Sequence, residues 1–202
     1  MQNILVNHYR GVFRQIYLWS PTYRLDGSWA PVFEYMRKVL GQDTVSIDPK
    51  EQCVFDTFNP EDLSRIVARQ TEIVKKRKEI KSGRSVEMPS ICLVVDDFAD
   101  DPAVMRRSGF VTAFLRLRHQ YISCALLSQR WRLLDPTARV KLTGIQVFRL
   151  RDVDELNQVV RSLGAKYGYK QTREIYDVCT AEPYSFMYFS ALTNTFYGRF
   201  EH

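Results

Sequence analysis

The stretch ICLVVDDFADDP, residues 91–102, decides how this chain is read. Five apolar residues, Ile91 to Val95, run without alternation into Asp96 and Asp97. A run with no polar face belongs to a strand covered on both sides, and such strands build parallel sheets flanked by helices. Its acidic end has two readings. One is an ordinary surface turn. The other is a rigid strand that delivers a carboxylate to a magnesium ion beside a nucleotide.

The neighbouring segments fit the parallel-sheet reading. Upstream, QIYLW (residues 15–19) is aromatic and β-branched and ends at Ser20-Pro21, as a short buried strand does. Downstream, YISCALL (121–127) ends in Ser128-Gln129, and IQVFRL (145–150) is a further strand. Residues 52–55 are a weak strand candidate. Helices are expected over residues 1–13 and 28–40, with Ser28 as cap and Gly41 past the end. A third begins with Asn59 as cap, Pro60 in the first turn and Glu61 and Asp62 at the positive dipole end. Its apolar stripe is Leu63, Ile66, Val67, Ile73, Val74 and Ile80, and its basic run KKRKEIK reads as a solvated helix end before Gly83. Two more helices are expected over about 101–118 and 152–163. SFMYFSAL and TFYGRF close the chain as a hairpin around Thr193-Asn194, an antiparallel edge. The expectation is one α/β domain over residues 1–202: a mostly parallel sheet, helices on both faces, ligands beyond the carboxyl ends of the strands.

Bulk properties narrow the class. With 202 residues, 45% hydrophobic and 26% charged, the chain has the composition of a soluble protein with one sizeable core. The four cysteines (53, 92, 124, 179) form no C-x-x-C pair and stand apart from His8, His119 and His202, so they read as reduced, intracellular and not zinc-binding. No run reaches the roughly 18 residues of a membrane span, and the N-terminus lacks a secretory signal core. A formal charge of +6 permits contact with nucleic acid without requiring it.

An apolar strand ending in two acidic residues is the pattern of a Walker B element. Its first carboxylate holds magnesium and the second orients and deprotonates the attacking water. Here Asp96 takes the first role and Asp97 the second. The following strand ends in Gln129, whose amide can donate and accept at once beside a γ-phosphate; alone, it would read as a solvent-facing or capping residue. Arg118, followed by His119, could reach a neighbouring subunit's nucleotide or simply end a helix. Arg130, Arg132, Arg139 and Lys141 surround Trp131, a basic-aromatic cluster suited to DNA phosphates, a subunit partner or plain solvent.

These residues carry a family resemblance. RLRHQYISCALLSQRWRLLDPTARVKLTGIQVFRL (116–150), together with ICLVVDDFAD, resembles the poxvirus-type genome-packaging ATPases of nucleocytoplasmic large DNA viruses, within the FtsK/HerA group of P-loop translocases. The matching features are Arg118-His119, Ser128-Gln129, Pro136 with Arg139, and Phe148-Arg149, with Ser20-Pro21-Thr22 after the second strand. The resemblance implies a P-loop NTPase-like fold of the ASCE type and a homo-oligomeric ring. That ring would hydrolyse ATP with Mg2+, drive double-stranded DNA into a capsid, and use Arg118 as a finger in trans. It implies host cytoplasm or virion as location, with a capsid protein as a possible partner.

One feature departs from the family. The pattern G-x-x-x-x-G-K-[ST] occurs nowhere in the chain. That loop supplies the backbone donors and lysine that hold the phosphates, so cofactor-binding residues of the Walker A kind are absent. The expectation is a domain lacking its P-loop strand, truncated rather than degenerate, that binds ATP poorly as written. Two other readings stand beside it. One is a non-catalytic ATPase-fold protein that binds DNA through Arg130, Arg132 and Lys141 or joins a ring. The other is a metal-dependent nuclease using Asp96, Asp97, Asp100 and Asp101.

Overall fold

The computed structural model describes residues 1–25, 27–80, 87–98 and 117–200. The expected helix over about 101–118 and the acidic residues Asp100 and Asp101 fall outside them, except for Leu117 and Arg118. The chain divides into two compact units, Met1–Gln129 and Arg130–His202.

The first unit is built on a four-stranded parallel sheet of order β2-β1-β3-β4. Its strands are β1 (Gln15–Trp19), β2 (Val54–Phe55), β3 (Ile91–Asp96) and β4 (Ile122–Leu127). The decisive strand, β3, lies between β1 and β4, with Gln15 opposite Ile91 and Asp96 opposite Leu127. All five of its apolar residues are buried, which is why no polar alternation appears in the sequence. Each such side chain contributes about 1.5–3 kcal/mol of burial.

Helices α1 (Ala30–Lys38) and α2 (Pro60–Glu79) belong to this unit. The Asn59 side chain accepts from the Glu61 N–H at 2.9 Å, so the expected cap forms. Leu63, Ile66 and Val74 are buried as the stripe requires, but Ile80 stands past the helix end and is exposed. Gln70 takes a buried stripe position. Its amide donates to the Pro89 carbonyl at 2.7 Å and the Gln120 carbonyl at 3.1 Å, so α2 holds the chain just before β3 and β4. The basic residues 75–78 are exposed, as a solvated helix end should be.

Two N-terminal expectations are corrected. Residues 1–13 do not form one α-helix. A π-helical turn, Ile4–His8, ends where Tyr9 donates to the Ile4 carbonyl at 2.8 Å, and Gly11 follows at φ 79°. Ser28 does not cap α1: a 3-10 turn, Gly27–Trp29, precedes the helix, Pro31 fills its first turn, and Ser28 instead accepts from Gln2.

The second unit carries a three-stranded antiparallel sheet, β5 (Gly144–Phe148), β6 (Phe186–Ser190) and β7 (Thr195–Gly198). The hairpin turns at Asn194, at φ 53°. The strand at 144–148 pairs antiparallel with β6, so it belongs to this sheet and not to the parallel one. A short helix, α3 (Pro136–Lys141), precedes the sheet, and α4 (Val153–Leu163) and α5 (Gly168–Cys179) pack on it. Neither α3 nor α5 was expected from the sequence. Val147, Met187 and Phe189 meet Leu156, Val160, Leu163 and Tyr176 in a separate core. The opposite face is aromatic: Phe148 lies 5.2 Å from Phe186, and Tyr188 lies 5.9 Å from Tyr197. Gly144 leaves room for Tyr188, whose hydroxyl would stand 2.7 Å from any Cβ there.

All four cysteines are free thiols, with Cys53 and Cys92 buried. Burial pushes both of these thiols up to about 12. Among the described residues no group of three metal-ligating side chains occurs, and no helix is long and apolar enough to cross a membrane.

Candidate functional site at the carboxyl ends of the central strands

The parallel direction of β1, β3 and β4 brings their carboxyl ends together. Ser20 follows β1, Asp96 ends β3 with Asp97 next, and Ser128 and Gln129 follow β4. The sequence placed these groups at one end of the sheet, and the register confirms it.

Asp96 is half-buried, and its Oδ2 accepts from two side chains. The Ser20 hydroxyl donates to it at 2.9 Å and the Trp29 indole N–H at 3.2 Å. Ser20 is completely buried and Trp29 nearly so, at 2% exposure. Thr22 adds a hydroxyl 3.5 Å from that of Ser20. The half-buried α-amino group of Met1 has its pKa pushed down by burial, while attraction to Asp96 works in the opposite direction.

Asp97 has the left-handed backbone conformation, φ 55°, and its N–H donates to the Leu127 carbonyl at 3.3 Å. Leaving the extended conformation there ends the strict alternation of a strand. The Asp97 side chain meets Gln129, whose amide nitrogen stands 3.4 Å from both carboxylate oxygens. At 3.4 Å these contacts lie at the long end of the hydrogen-bond range.

The remaining expected site residues lie elsewhere. Arg118 is in the 3-10 turn Leu117–Gln120, at the amino end of β4. A strand of that length, at about 3.3 Å per residue, separates it by roughly 17 Å from the end bearing Gln129. It does not join the acidic cluster of its own chain. Arg130, Arg132 and Lys141 belong to the second unit. Arg132 is bound to the buried Glu155 at 2.8 Å and remains half-exposed, while Arg130 and Lys141 are exposed. Arg139 lies over the Trp131 ring at 5.5 Å, and Trp131 donates to Ser162 at 3.2 Å. Sequence reasoning missed Trp29 as part of the site. Nothing in its local pattern links it to Asp96, 67 positions away.

Asp96 has a carboxylate of its own and the hydroxyls of Ser20 and Thr22 nearby, all oxygens. That set suits a hard ion such as Mg2+.

Among solved structures, the chain is similar to the DNA-packaging ATPase B204 of Sulfolobus turreted icosahedral virus, with a TM-score of 0.60 at 16% identity over 97% of this chain and 89% of the other. The fold is P-loop NTPase-like. B204 of Sulfolobus turreted icosahedral virus 2, a genome-packaging NTPase, matches in its complex with ATP-gammaS at TM-score 0.50 and 14% identity, covering 90% of this chain and 94% of the other. Its sulfate complex matches at 0.51 and 15%, covering 90% and 93%. No protein-family model and no curated protein sequence matches the chain. The similarity therefore lies in the fold and not in the sequence.

Proposed function

We propose that this chain carries the Walker B and sensor part of a viral genome-packaging NTPase, as one ATPase-like domain of the FtsK/HerA type. The observation that carries the reading is the pairing of Asp97 with Gln129 at the carboxyl ends of adjacent parallel strands, beside Asp96. The likeness in fold to the two viral packaging enzymes supports it. In this reading Asp96 holds the magnesium of Mg·ATP, which neutralises charge on the phosphates. Asp97 accepts a proton from the attacking water, and Gln129 orients both. Arg118, at the far end of β4, serves a neighbouring subunit in a homo-oligomeric ring. Double-stranded DNA is the cargo, with a capsid protein as a further partner.

No G-x-x-x-x-G-K-[ST] loop stands in the 202 residues, so nucleotide binding by this chain alone is expected to be weak, in the millimolar range (roughly −4 kcal/mol). Titration with a fluorescent ATP analogue should show binding that needs Mg2+ and is lost in Asp96→Asn. Binding indifferent to Mg2+ and to Asp96 would sink the proposal. Tight, micromolar Mg2+-dependent binding by residues 1–202 alone would overturn the reading of a domain lacking its P-loop.

A non-catalytic role has one observation in its favour. Arg130 and Lys141 are exposed in the same stretch as the Trp131–Arg139 pair, and Arg132 is bound to Glu155. If this surface holds DNA phosphates, neutralising Arg130 and Lys141 together should weaken duplex binding and flatten its salt dependence. DNA binding unchanged by that double substitution would remove the surface from consideration.

A further inference from the structure

We propose that Ser20 and Trp29 are positioning residues for a divalent cation at Asp96. The inference deepens the proposed function and rests on its assignment of Asp96 to the metal. Both donors converge on the same oxygen, Oδ2, from separate parts of the chain: Ser20 at the end of β1, Trp29 in the turn that opens α1. Two donors on one oxygen fix the rotation of a carboxylate about its last bond, which a single donor does not. A half-buried aspartate at a strand end otherwise samples several rotamers and pays to be ordered when an ion arrives.

The burial of the two donors argues that this is their purpose. Ser20 is completely buried, and a buried hydroxyl is costly unless it is bonded. Its only other described side-chain neighbour is the Thr22 hydroxyl at 3.5 Å, a distance that gives little. Trp29 is 2% exposed and aims its single N–H at the same carboxylate oxygen. Outer partners of this kind typically change metal affinity by ten- to a hundredfold when removed. Ser20 opens the Ser20-Pro21-Thr22 motif. The serine of that motif thus holds the Asp96 carboxylate, together with Trp29, which lies outside it.

The test is a Mn2+ titration of the 202-residue chain, followed by loss of the free-ion electron paramagnetic resonance signal. Mn2+ serves as the probe in place of Mg2+. Trp29→Phe keeps the ring and deletes the N–H; Ser20→Ala deletes the hydroxyl. Each is expected to raise the half-saturating Mn2+ concentration by roughly tenfold. Ser20→Thr retains a hydroxyl and should stay within about threefold of the parent. Asp96→Asn, which still offers an acceptor to both donors and so should fold, is expected to abolish saturable binding. Circular dichroism melts on the same samples separate a folding defect from a site defect. If Asp96→Asn binds Mn2+ as the parent does, the metal assignment of Asp96 fails. If Asp96→Asn abolishes binding while folded Trp29→Phe and Ser20→Ala leave it unchanged, the positioning role fails and the assignment survives.

Discussion

At the scale of single residues, Asp97 is the most informative position. It holds φ 55°, a conformation that glycine adopts freely and that costs other residues of order 1 kcal/mol, less for aspartate than for most. Among the described residues its side chain makes only the long contacts to Gln129. The residue therefore strains the backbone slightly without returning much packing, which is expected of a group kept for chemistry. Asp97→Gly should leave stability unchanged or raise it by up to about 1 kcal/mol in urea denaturation. A loss above about 1 kcal/mol would mean that the Asp97–Gln129 contact is structural instead. The carboxylates at 96 and 97 were legible in sequence as the end of a buried strand, because an unalternated apolar run breaks off at them, and Gln129 at the end of the next strand added the rest. Trp29 was not legible, because its partner is distant in the chain.

At the scale of elements, two buried glutamines substitute for missing backbone partners. Gln42 sits just past Gly41, which takes φ 67° after α1. Its side chain accepts from the Ile16 N–H at 2.8 Å and donates to the Ile16 carbonyl at 3.0 Å. This reproduces a strand's ladder on the side of β1 where β2 is too short to reach, since β2 pairs only with Leu18 and Trp19. Gln70 does the same for two carbonyls below β3 and β4. Replacing either by leucine leaves buried backbone groups unpaired at about 1–3 kcal/mol. Thermal and chemical melts of Gln42→Leu and Gln70→Leu should both show that loss, and a neutral result would mean that water takes the glutamine's place. Neither role was visible beforehand. A glutamine in an apolar stripe carries no sign of which distant carbonyl it will meet.

At the scale of the molecule, the chain is two units, each with its own sheet. Among the described residues, those of the second unit's core, from Trp131 to Phe196, all come from that unit. Residues 130–202, expressed alone, are expected to fold with a cooperative thermal transition, although a chain of this size is only marginally stable. A featureless melt with random-coil circular dichroism would show that the second unit needs the first. The likeness to the viral B204 enzymes extends over both units, since it covers 97% of this chain in one case and 90% in another. A fold shared at 16% identity is what packing allows: many apolar cores of like volume and pattern fit one architecture.

By itself the sequence determined the parallel sheet, the identity of its central strand, the capped helix at Asn59, the closing hairpin and the end of the sheet where acidic and amide groups gather. These follow from local pattern, because burial on both faces, capping and turn chemistry are written in consecutive residues. Only the tertiary structure decided that 144–148 joins an antiparallel sheet, that residues 1–13 stop at one π-helical turn, and that Ser20 and Trp29 share an oxygen of Asp96. Each of these depends on which segments meet across long stretches of chain, and the partner in such a meeting leaves no mark on the residues around either member.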